Sequence, residues 1–153
     1  MNSIDDILAA DLLDMQAFSI DHEWIKYLLT VIDIFSKFVG IVPLKRKTGQ
    51  EVANAFSRIS KKRRPNKTWV DRGREFCNKD FQKLVELYSK EKEEQSCWIE
   101  RFNRIIKKKM FRYFPANNTR KYVDVLDLLV DQYNNTFHSS IKMTPKEASR
   151  KEN

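Results

Sequence analysis

Three acidic residues, Asp11, Asp71 and Glu100, occupy settings where a carboxylate could do more than solvate a surface. Asp11 follows Ala10 and precedes Leu12 and Leu13, so its charge falls in an apolar stretch, which is costly unless the group is paired or bound to a metal. Asp71 comes directly after Trp69 and Val70 and before Arg72 and Gly73; a glycine there suits a tight turn that aims the carboxylate out of a strand's carboxyl end, where ligands bind in layered folds. Glu100 lies in a helical pattern and shares one arc with Asn103, Arg104 and Lys107, so cations able to meet phosphate flank it. Hard carboxylate oxygens with no neighbouring Cys or His suit magnesium or manganese, and two such ions can hold both the attacking and the leaving oxygen of a phosphodiester. A chain with 21 acids offers many triplets of this type, so three unrelated surface acids is the competing reading. Asp14 and Asp33 read as hydrogen-bonded structural groups, Asp5 and Asp6 as exposed ones.

Other chemistries find little support. The two cysteines, Cys77 and Cys97, are too few for a disulfide framework and are not spaced to hold zinc. His22 and His138 are far apart, stand beside no cysteine, and read as surface residues. The 29 basic residues against 21 acidic ones give a net charge of +8, which favours a polyanion such as nucleic acid over an acidic protein or neutral metabolite. No apolar run reaches membrane-spanning length and Met1 to Ala10 lacks a signal-peptide pattern, so the expectation is a soluble, intracellular protein without a membrane partner.

The elements that must position the acids follow from periodicity. With 41% apolar residues, only three glycines and four prolines, the 153 residues suit one folded domain, 1–153. Ala10 to Met15, Tyr27 to Phe35 and Phe38 to Leu44 read as strands of an antiparallel meander. Thr48-Gly-Gln-Glu51 is a capping-box pattern, followed by Val52, Ala55, Phe56 and Ile59 at helical spacing. The basic stretch Lys61 to Arg64, which reads as a nuclear import signal, a phosphate contact or a solvated helix end, meets Pro65, and Lys67 to Val70 reads as a short buried strand. Helices are expected over Asn78 to Tyr88, over Ser96 to Arg112 with Ile99, Phe102, Ile106 and Met110 inward, and through Tyr122, Val125, Leu126, Leu129, Val130 and Tyr133 from an N-cap near Asn118 or Thr119. Thr144-Pro145-Lys-Glu147 starts a further one. This order is that of an α/β layered domain, with helices covering both faces of a mixed sheet.

Several blocks in order, Ala10-Asp-Leu-Leu-Asp-Met15, Thr30-Val-Ile-Asp-Ile-Phe-Ser-Lys37, Trp69-Val-Asp-Arg-Gly-Arg-Glu-Phe76 and Glu100-Arg-Phe-Asn-Arg104, resemble the retroviral integrase catalytic core family. Together with Asn117 to Tyr122, Gln132 to Asn135 and Lys142 to Glu147, they are most similar to integrases of Maverick (Polinton) DNA transposons, over nearly the whole chain from about Ile4. The resemblance implies a ribonuclease-H-like five-stranded mixed sheet, four-stranded in the alternative, and transfer of a DNA 3′ end by two Mg2+ or Mn2+ ions. It further implies a catalytic, metal-binding triad of Asp11, Asp71 and Glu100, with Asn103, Arg104 and Lys107 on DNA, a homo-oligomer and a nuclear setting. Two departures bear on activity. Only 28 residues lie between Asp71 and Glu100, fewer than the family usually has, which predicts a deletion between Leu84 and Leu87, where relatives finish a helix and add a short strand, and a displaced Glu100. The chain also begins almost at Asp11 and stops soon after Glu147, as a fragment or a domesticated, catalytically impaired DNA-binding module would. A ribonuclease or repair nuclease on the same fold is a third reading.

Overall fold

The structure is a computed structural model that describes residues 4–17, 24–70, 76–88, 91–94, 97–116 and 123–150. Near-continuous apolar runs build three antiparallel strands, β1 (Ile7–Asp14), β2 (Tyr27–Asp33) and β3 (Val39–Leu44). The first strand thus starts three residues earlier than the hydrophobic pattern suggests. Helix α1 (Gly49–Arg63) leads to β4 (Lys67–Val70), which runs parallel to β1 in the register Ile7 to Lys67, Leu8 to Thr68 and Ala9 to Trp69. After α2 (Lys79–Tyr88) comes β5 (Glu91–Glu94), parallel to β4, so the described sheet has the order β3-β2-β1-β4-β5. The strand expected to be missing from the short Asp71–Glu100 segment is therefore present. Its sequence, Glu-Lys-Glu-Glu, has no apolar alternation; its backbone is held as a strand by pairing with β4 at the edge of the described sheet. Helices α3 (Cys97–Ala116), α4 (Val123–Asn134) and α5 (Pro145–Ala148) complete the chain.

Local signals explain most of the boundaries. Thr48 caps α1 by accepting the Glu51 N–H at 3.3 Å, but the Glu51 carboxylate takes the Arg46 N–H at 3.1 Å, so the box is only half formed. Arg64, in the left-handed region at φ 49°, closes the helix ahead of Pro65. Asn78 caps α2 through its side-chain oxygen, which accepts the Phe81 N–H at 2.9 Å. A Cβ on Gly49 would lie 2.3 Å from the Asn78 amide carbon, so the starts of α1 and α2 can meet only at a glycine. The expected N-cap at Asn118 or Thr119 lies outside the described residues.

The sheet is buried on both faces. Ile7, Ala9, Leu13, Leu28 and Ile32 pack with Ile99, Phe102, Ile106 and Met110 of α3 and Leu126, Leu129 and Tyr133 of α4. Leu8, Ala10, Leu29 and Val31 face the opposite way, toward Val52, Ala55 and Phe56 of α1 and toward Phe76 and Phe81. Strand alternation therefore decides which helix each β1 side chain meets. Asp11 has the parity of Ala9 and Leu13, the face that carries α3. Asp5, expected to be exposed, is only 7% exposed and pairs with Arg63 at 2.5 Å, since the end of α1 folds back over the start of β1. Asp6 accepts the Asn66 side-chain N–H at 2.8 Å.

Candidate active site

Asp11 stands opposite Thr30 in the β1–β2 ladder, and both reach toward α3. One Asp11 carboxylate oxygen accepts the Leu12 N–H at 2.8 Å, and the other accepts the side-chain N–H of Asn103 at 2.9 Å. The Thr30 hydroxyl donates to the Asn103 side-chain oxygen at 2.8 Å; its single proton favours this contact over the Asp11 carbonyl at 3.3 Å. The orientation of the Asn103 amide is fixed by these partners: NH2 to a carboxylate, oxygen to a hydroxyl. This network places the second turn of a separate helix against the middle of the first strand, a contact across 92 residues of chain.

Glu100 is exposed and sits three residues before Asn103, about one helical turn away on the same side of α3. Arg104 is exposed and Lys107 half-buried, so both remain open to a phosphate, whereas Asn103 is buried, 8% exposed, with its amide turned inward. The expected DNA-contacting set is thereby divided, because position 103 borders the apolar stripe of Phe102 and Ile106 while 104 and 107 turn away from it. Asp71 lies outside the described residues; β4, which ends at Val70, runs beside β1 with Trp69 opposite Ala9. Among the described residues no group of three or more His, Cys, Asp or Glu side chains could enclose a metal ion. The two described candidates, Asp11 and Glu100, supply hard carboxylate oxygens, a donor type that fits Mg2+ or Mn2+.

The other strand aspartates are structural. Asp33 is buried and accepts the Ser36 hydroxyl at 2.5 Å and the Phe35 and Ser36 N–H groups at 3.3 Å, closing the β2–β3 turn. Asp14, exposed, accepts the backbone and side-chain N–H groups of Gln16.

Sequence reasoning missed a ring cluster at the start of α3. The Lys37 ammonium sits 3.8 Å from the centre of the Trp98 ring, the Arg101 guanidinium 5.1 Å from it, and the His138 ring centre lies 6.1 Å away. Burial first, then the charges of Lys37 and Arg101, hold His138 below the usual imidazole range. Tyr133, packed edge-on to Phe102 at 4.9 Å, is pushed up by burial, a shift that the Arg101 charge partly opposes. His138 is half-buried rather than a plain surface residue, and His22 lies outside the described residues. The i, i+3 pair Trp98 and Arg101 was the available signal, but its partner on the β2–β3 turn has no mark in sequence spacing.

The chain matches no family profile. It is 33% identical over 143 residues to the transposon-derived protein F54H12.3 of Caenorhabditis elegans; the alignment covers 89% of this chain and 50% of that protein, so the chain spans about half the length of this curated relative. The fold superposes on the simian T-cell lymphotropic virus intasome in complex with PP2A regulatory subunit B56 gamma, with a TM-score of 0.82, 17% identity, and coverage of 98% of this chain and 56% of that one. It also superposes on the HTLV-2 integrase catalytic core domain in complex with magnesium, trimeric form, with a TM-score of 0.78, 21% identity, and coverage of 97% and 98%. The chain thus has the ribonuclease-H-like α/β fold, a mixed sheet with helices on both faces, that the HTLV-2 integrase core also has.

Proposed function

We propose that this chain is the catalytic core of a transposon-type DNA integrase, which joins DNA 3′ ends to target DNA through carboxylates that bind Mg2+ or Mn2+. The observation that carries this reading is the Asp11–Asn103–Thr30 network, which docks the helix bearing Glu100 onto the strand bearing Asp11. Asp11, Asp71 and Glu100 would hold two divalent ions, whose chemistry is to activate an oxygen nucleophile and stabilise the leaving oxygen. Asn103 orients the Asp11 carboxylate. Arg104 and Lys107, on the outer side of α3, bind the DNA backbone. DNA is the partner that the +8 charge favours, and a nuclear setting follows from that substrate. The trimeric form of the HTLV-2 integrase core supports assembly of this chain with further copies. Among the described residues no helix is long and apolar enough to cross a membrane.

The test is strand transfer or its reversal on labelled DNA with Mg2+ or Mn2+. Activity should fall about 100-fold or more in Asp11→Asn and Glu100→Gln, since each removes a negative charge that would hold the divalent ions. A wild-type protein inert with both metals overturns the enzymatic reading. It would leave the second one, a domesticated DNA-binding module, which the transposon-derived relative favours. Such a module would hold DNA with strong salt dependence and be indifferent to Asp11→Asn.

A further inference from the structure

Besides its apolar stripe, helix α3 makes two polar contacts with the sheet layer, and Glu100 lies between them. The inner tie is Asn103 to Asp11 and Thr30. The outer one is Trp98, whose ring meets the Lys37 ammonium at 3.8 Å. Five residues of helix separate the two, roughly 7.5 Å of rise.

The Lys37 side of this contact is built at some cost. Its backbone is in the left-handed region at φ 60°, which favours glycine, and its side chain is only 6% exposed, rare for an ammonium. What holds it is local. Its N–H donates to the Asp33 carbonyl at 2.8 Å, its ammonium donates to the Ile34 carbonyl, and the Asp33–Ser36 bonds close the turn around it. The turn is anchored from behind by Asn134 of α4, whose side chain accepts the Val39 N–H at 3.0 Å and donates to the Val39 carbonyl at 3.1 Å. The charges are also placed against the helix dipole. Lys37 and Arg101 gather at the amino-terminal, positive end of α3, where cations are disfavoured, and the electron-rich face of Trp98 offsets this.

We propose that Lys37 and Trp98 are positioning residues for Glu100: the cation–π contact fixes the first turn of α3 over the β2–β3 turn and so sets where the Glu100 carboxylate stands relative to Asp11. This rests on the reading of Glu100 and Asp11 as metal-binding carboxylates. Ile99, Phe102 and Ile106 seat α3 on the sheet through non-directional apolar contacts, which allow small shifts of the first turn and of the Glu100 carboxylate in it. A second anchor beyond Glu100 removes that freedom.

Two readouts other than activity test it: Mn2+ binding to the protein alone, followed by the spin-resonance signal of free Mn2+, and hydrogen exchange of the Arg101 to Arg104 amides. Lys37→Met, which keeps the side-chain length, and Trp98→Leu should each weaken Mn2+ binding about tenfold and speed exchange in that turn, while Lys37→Arg and Trp98→Phe stay within about threefold of wild type. Wild-type Mn2+ affinity in both Lys37→Met and Trp98→Leu overturns the proposal. Asp11→Asn separates the two layers of the argument. If it binds Mn2+ as the wild type does, the metal-site reading fails, and with it Glu100 as a metal ligand that needs positioning. If Asp11→Asn loses binding and Lys37→Met does not, only the anchor fails.

Discussion

Asn103 shows how one side chain can serve both stability and chemistry. Its amide is buried between a carboxylate and a hydroxyl, so truncation leaves the Thr30 hydroxyl and one Asp11 oxygen without their partner. Asn103→Ala should cost about 1–3 kcal/mol in urea unfolding, the range for a lost buried polar partner, and should impair metal binding as well. His138 offers a pH test. Its folded pKa lies below the ordinary value of 6.5, so the unfolded chain binds the proton more readily in the window between the two. Stability is full above pH 6.5 and declines as pH falls toward the lower folded value. Thermal unfolding across pH 5 to 8 should show this slope, and His138→Gln, which cannot take up the proton, should flatten it.

At the scale of elements, the chain's ends and turns are held by short-range devices of predictable strength. Thr144 and Glu147 form a complete capping box at α5, with Glu147 N–H to Thr144 hydroxyl at 3.2 Å and Thr144 N–H to Glu147 carboxylate at 2.9 Å. The Thr144 backbone bond first, then its hydroxyl, holds the Glu147 carboxyl below its ordinary value of 4.5. The stabilisation is therefore present above pH 4.5 and lost as pH falls through the lower folded value. Thr144→Ala should cost about 0.5–2 kcal/mol locally, seen as faster exchange of the Glu147 and Ala148 amides with the rest of the chain unchanged. On the opposite face, Phe56 is fully buried and its ring centre lies 5.3 Å from that of Phe81, which in turn meets Phe76 at 5.1 Å. Phe56→Ala should destabilise the fold by about 3–5 kcal/mol in chemical denaturation, because it opens a cavity where α1, α2 and the sheet join.

For the whole molecule, the sheet separates two tasks. Its α1 face is a close-packed support, while its α3 face carries Asp11 and Asn103 inside and Arg104 and Lys107 outside. If the outer side of α3 tracks a DNA backbone, affinity should fall linearly with the logarithm of salt concentration. Changing Arg104 and Lys107 together to alanine should then reduce that slope by about 2 and weaken binding evenly across sequences. Titration of a labelled duplex at several salt concentrations measures both. An unchanged slope would mean that the phosphates lie elsewhere.

What the amino-acid order determined by itself was everything set by short periods and local bonding: the apolar runs of the three meander strands, the Thr48 and Thr144 helix starts, the stop at Pro65, and the inward stripe of Ile99, Phe102, Ile106 and Met110. These depend on neighbours within about four residues, where spacing is geometry. Strand β5 was not legible, because its Glu-Lys-Glu-Glu sequence forms a strand only through its ladder bonds to β4. The burial of Asp5 against Arg63, the inward turn of Asn103 and the Lys37–Trp98 contact were equally hidden. Each joins residues 58 or more positions apart, and only the packing of helices on the sheet decides which of many polar side chains meet.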